Sequence, residues 1–166
     1  MMRKASLFFS ALSVLVMIAC NSQTTNPPPT TSSADENVTG YDSIKATKYG
    51  ADDYGMRKYV MAFLKKGPNR PADSVKAAEL QAAHMANISR MAQEGKLALA
   101  GPFFGDGELR GIYIFNVESI AEAEALTNSD PAIKAGSLIM ELKEWYGSAG
   151  VMAINEIHDS LAKKKM

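Results

Sequence analysis

Two stretches of this chain are apolar on both faces of an extended strand, and few folds can satisfy that. In RKYVMAFL, residues 57–64, Tyr59, Met61 and Phe63 alternate with Val60, Ala62 and Leu64. In GIYIFNV, residues 111–117, Ile112 and Ile114 alternate with Tyr113 and Phe115. Strand side chains point alternately to the two faces of a sheet. An antiparallel sheet with one face in water shows apolar–polar alternation instead, so both faces here need cover. Two further strands read at LALAGPF (97–103) and LIMELKEWY (138–146). Between the strands lie two helices. One is capped by Asp73 or Ser74 and runs to about Gln93, with Gly95 where a C-terminal cap belongs; the other follows Ser119 over 120–127. GDGELRG turns strands two and three into a hairpin. The order is β-α-β-β-α-β, an α+β, ferredoxin-like pattern. Two helices cover one face of such a sheet. The second face predicts a second copy of the sheet, hence a homodimer, or the fold-back of a helical C-terminal extension, residues 148–166.

The N-terminus reads as a targeting segment. Arg3 and Lys4 precede a mostly apolar run, Leu7 to Ile18, that is short for a membrane span. The run ends in MIAC, which resembles a bacterial lipobox: cleavage after residue 19 leaves Cys20 as a lipidated N-terminus. Cys20 is the single cysteine, so a lipid there leaves no thiol for catalysis or metal binding. Cleavage removes Arg3 and Lys4 and no acid. The 18 basic and 18 acidic residues then become 16 and 18, a formal charge of −2. Asn21, rather than Asp, follows the cysteine, which favours the outer membrane, facing the periplasm. Residues 20–53 read as a flexible tether, rich in Ser, Thr, Asn and Pro up to about residue 40. About 20 such residues span roughly 25 Å. The only basic run, Lys163 to Lys165, is too short to track a phosphate backbone, so nucleic acid is not an expected partner.

The chemistry rests on few residues. Leu80, His84, Ile88 and Met91 share one face of the first long helix, so an imidazole stands in a core-facing stripe. It reads either as a core histidine with one backbone hydrogen bond or as a general acid–base. Asp130, before Pro131, reads as a helix N-cap with Pro at the first helical position. A carboxylate has two oxygens, so capping leaves one free for another partner. Trp145, Tyr146, Phe103 and Phe104 read as core, or as the lining of an apolar pocket. No activated nucleophile, metal-ligand set or phosphate loop is signalled, and no cofactor is expected.

The run KYVMAFL, then His84, then GKLALAGPFFGDGELRGIYIFNVESIAEAEALTNSDPAIKAG and ELKEWYG, resembles the YCII-related domain over roughly residues 50–147; the domain proper reads as 54–147. The resemblance implies a muconolactone-isomerase-like, dimeric α/β barrel in which two ferredoxin-like sheets pack face to face. It also implies an active site built on a His and an Asp, which fall on His84 and Asp130. LRG places Arg110 at the mouth of the third strand, a substrate-binding position together with Trp145. One relative is linked to dehydrohalogenation of a chlorinated aromatic. Two functions follow as expectations. The first is a cofactor-independent lyase or isomerase moving a proton on a small cyclic or aromatic acid. The second is a non-enzymatic periplasmic module that binds a ligand or a protein.

Overall fold

The structure, a computed structural model, describes residues 40–164. Its elements are α1 (Ser43–Tyr49), β1 (Met56–Lys66), α2 (Ser74–Gln93), β2 (Leu97–Pro102), β3 (Leu109–Phe115), α3 (Ile120–Thr127), α4 (Pro131–Lys134), β4 (Leu138–Ser148), a 3-10 turn (Ala149–Ala153) and α5 (Ile154–Leu161). The four strands form one antiparallel sheet in the order β2-β3-β1-β4. This is the ferredoxin-like arrangement. No helix among the described residues is long and apolar enough to cross a membrane.

The local chemistry accounts for the boundaries. Asp73 starts α2 by accepting from the N–H groups of Val75 and Lys76. Gly95 ends it with φ +68°. The Lys96 N–H then reaches Met91 and the Gly95 N–H reaches Ala92, which pairs the last carbonyls of the helix. Ser119 caps α3 through the Glu122 N–H. The tether expected to run to residue 53 is shorter. Asp42 caps α1, and Gly50 closes it in the left-handed region. The α1 helix is docked: the Arg57 guanidinium donates to the Tyr49 carbonyl, and Lys48 pairs with Glu156 of α5. Residues 1–39, and with them the segment expected to be a leader and Cys20, lie outside the described residues.

The sheet has two apolar layers. Val60, Ala62, Leu64, Leu97, Tyr113 and Phe115 face the helices and form the main core. Tyr59, Ala98 and Ile114 face the other way, with Met61, Leu99 and Trp145 beside them. Val151 and Met152 of the 3-10 turn pack on this second layer, and the Ala149 N–H bonds Gly55 to seat the turn. The extension thus folds back over one end of the second face. At the other end Leu109 and Ile139 are exposed, beside Phe63, Ile112 and an ion pair between Lys65 and Glu141.

One irregularity bears on the site. Leu64 stands opposite Gly111, but Lys65 stands opposite Leu109. Arg110 is therefore the extra residue of a bulge on β3, a device that re-aims a side chain.

Candidate active site

The helix-facing side of the sheet carries a cavity of about 420 Å³. Its floor is the start of β3, and α2 forms one wall. Leu64, Leu80, Met85, Ile88 and Leu138 make it mostly apolar, and His84, Tyr113, Arg70 and Arg110 add the polar groups that decide its chemistry.

His84 is buried, 7% exposed, and bonded on both sides of its ring. Nδ1 lies 2.8 Å from Asp130 Oδ2. A carboxylate only accepts, so the proton sits on Nδ1 and the Nε2 lone pair is left facing the cavity side. There the Tyr113 hydroxyl donates to Nε2 over 3.2 Å. Burial, and then the nearby negative charge of Asp130, push the Tyr113 phenol well above its ordinary range, so it remains a donor at neutral pH.

Asp130 is fully buried, and its two oxygens do different work. Oδ1 accepts the Ala132 N–H at 2.8 Å and caps α4, with Pro131 at the first helical position. Oδ2 takes His84 and, at 3.3 Å, Asn87 Nδ2. Asn87 cannot turn around, because its carbonyl oxygen accepts from Arg90 at 2.8 Å. Asn87 follows His84 by three residues, so both reach Asp130 from one face of α2. The carboxylate is met by three donors, enough to hold it without solvent.

Arg110 lines the cavity from the bulge, with one nitrogen donating to the Gly105 carbonyl at 2.7 Å. Arg70 enters from the loop after β1, which is pinned to the start of β4 by Gly67 N–H to Ser137 and Asn69 N–H to Gly136. Among the described residues Arg70 makes no hydrogen bond within the chain.

His84, Asp130 and Arg110 are thus brought to one region. Trp145, expected there as a substrate contact, is not. It stands opposite Tyr59 on the second face, with ring centroids 5.5 Å apart. Odd separations along β4, of three and five residues, put Trp145 on the opposite face from Leu142 and Met140. Phe103 and Phe104 are exposed at the hairpin tip, and Tyr146 is exposed and bonded to Asp52. Sequence reasoning passed over Tyr113, Asn87 and Arg70. The first two carried a usable signal, since a polar group on a buried stripe needs a partner. Arg70 lies in a loop, where no periodicity aims a side chain. No group of three or more metal-ligating side chains occurs among the described residues.

Comparison with known proteins bears on the same region. The sequence pattern of the YCII-related domain matches residues 60–146. The uncharacterized protein YjpA of Bacillus subtilis (strain 168) is 31% identical over 64 residues, which cover 39% of this chain and 73% of that protein. Among solved structures, a 5-chloro-2-hydroxyhydroquinone dehydrochlorinase (TftG) from Burkholderia phenoliruptrix AC1100, in complex with 2,5-dihydroxybenzoquinone, is 23% identical. The match covers 52% of this chain and 92% of that one at a TM-score of 0.41, too slight a likeness to carry an argument about chemistry.

Proposed function

The chain belongs to the YCII-related domain family, and on that premise we propose that it is a small-molecule enzyme that moves a proton without a cofactor. The observation that supports this is the hydrogen-bonded line Asp130–His84–Tyr113, which meets a cavity of about 420 Å³. In the proposed reaction Nε2 of His84 takes a proton from a carbon acid of the substrate. The C–H electron pair enters a conjugated carbonyl, and the Tyr113 hydroxyl turns from Nε2 to donate to the enolate oxygen. Asp130 stabilises the imidazolium through Nδ1–H. Return of the proton to a different carbon completes an isomerisation. Loss of a β leaving group with its electron pair completes an elimination.

The test is proton exchange in deuterium oxide, followed by NMR over a panel of small cyclic enones and unsaturated lactones. A positioned general base contributes roughly 10²–10⁴-fold. Wild type should exchange at least one member about a hundredfold faster than His84→Ala. A panel on which the two proteins behave alike supports the second reading, a ligand-binding module. What favours that reading is that Tyr113 already satisfies Nε2.

We also propose that the protein is a lipoprotein of the cell envelope, anchored through Cys20 to the outer membrane and facing the periplasm, and that it works as a homodimer. Support for the anchor is the MIAC sequence after a short apolar run. Cys20→Ser should move the protein from the membrane fraction to the soluble fraction or block its processing. A variant that is processed at the wild-type position and still pellets at the wild-type level refutes the anchor.

A further inference from the structure

Among the described residues, all the charge on the cavity wall is of one sign. Arg70 and Arg110 line it, His84 is the other ionisable base, and no Asp or Glu is among the lining residues. Asp130 stands behind His84 rather than on the wall. The remainder is largely aliphatic. Arg70 is exposed and Arg110 partly so, so both guanidinia stand hydrated at the rim of the cavity, where the anionic end of a ligand can reach them. Arg110 is held at one nitrogen, which donates to the Gly105 carbonyl and lies 3.9 Å from the exposed Asp106 carboxylate, and its other donors are left for a planar, two-oxygen acceptor.

Strand register places this basic end. Arg110 precedes Gly111, which stands opposite Leu64, and Tyr113 stands opposite Ala62. Gly111 and Tyr113 are therefore one repeat apart on the same face, roughly 7 Å along the strand. The Arg70 loop leaves β1 just after Lys66, at the same end of the sheet. The cations thus gather at one end of the cavity, and the Tyr113–His84 contact lies farther in.

We propose that the cavity takes a small carboxylate whose anionic group sits at the mouth between Arg110 and Arg70, with its reacting carbon at the far end of the molecule. The assignment deepens the proton-transfer reading and rests on it. An α-carbon is only about 1.5 Å from its carboxyl carbon, too close to bridge the two ends. The substrate is therefore one whose acidic C–H lies across a ring or a conjugated chain from the carboxylate.

Benzoate, benzamide and phenyl phosphate serve as probes, titrated into the full chain and into its Arg70→Gln and Arg110→Gln variants while the His84 ring signals are followed by NMR. Benzoate should bind at least tenfold more tightly than benzamide. Each Arg variant should lose most of that preference while binding benzamide unchanged. Arg70 makes no hydrogen bond among the described residues, so its variant keeps the test valid where Arg110→Gln disturbs the hairpin. Equal binding of benzoate and benzamide, no benzoate binding at 10 mM or tighter binding of phenyl phosphate each overturns the carboxylate assignment. Exchange that depends on His84 but occurs only with neutral substrates likewise overturns it and leaves the proton-transfer reading standing. Arg-dependent benzoate binding with no His84-dependent exchange on carboxylate substrates keeps the anion site and removes the enzyme.

Discussion

At the scale of single residues, Asp130 joins a structural task to a chemical one. One oxygen starts α4 and the other holds His84, so the helix cap and the imidazole share one rigid group. Tyr113 completes the line and makes it sensitive to alkali. Its folded pKa is raised by burial first and by Asp130 second. Below about pH 10, the ordinary tyrosine value, the phenol is neutral in both folded and unfolded chains. Above it the unfolded chain loses the proton while the folded one keeps it. Stability that is complete below that pH then declines as pH rises, by up to about 1.4 kcal/mol per pH unit. Tyr113→Phe should lack this decline. Denaturant titrations of both proteins from pH 8 to 11 measure the difference. Parallel curves would show that the hydroxyl is not held in a closed environment.

At the scale of elements, the loop between β1 and α2 depends on a close approach. A Cβ on Gly67 would stand 2.2 Å from the Gly136 carbonyl oxygen, and the same segments are bonded backbone to backbone. Gly67→Ala should cost about 1–3 kcal/mol, as overpacking does, and should weaken benzoate binding by shifting Arg70. Calorimetric unfolding and the probe titration check the two effects, and an unchanged melting temperature would refute the first. Most elements were legible because their punctuation was strong: Asp73 and Gly95 bracket α2, Ser119 opens α3, and Asp130-Pro131 opens α4. His84 and Asp130 were legible for the same reason, as an odd residue on a stripe and a cap before proline. Helix α1 was not legible, because its seven polar-rich residues continue the composition of the tether and have no stripe to bury. Tyr113 was hidden by its own apolar ring in an apolar strand. Trp145 was misplaced because period-two alternation separates two faces without saying which one the helices take.

At the scale of the whole molecule, the sheet's second face remains to be accounted for. The chain covers one end of it with Val151 and Met152 and leaves Leu109 and Ile139 exposed at the other. A homodimer through that open end would bury both, and it would bring Lys65, Glu141 and Lys143 of each copy to a shared, two-fold surface of mixed sign. Light scattering on residues 40–166 should give twice the monomer mass, and Phe63→Lys should return it to one. A wild-type monomer would refute the homodimer and make the fold-back the only cover. The fold-back carries a further consequence for any second copy. Residues 149–153 are a ligand covalently tied to their own binding surface, so they act at the millimolar effective concentrations typical of short connections. A partner approaching from solution meets a competitor that never dilutes away. A full face-to-face barrel therefore requires the 3-10 turn to be displaced or built into the interface, and shortening the chain after Ser148 should tighten self-association.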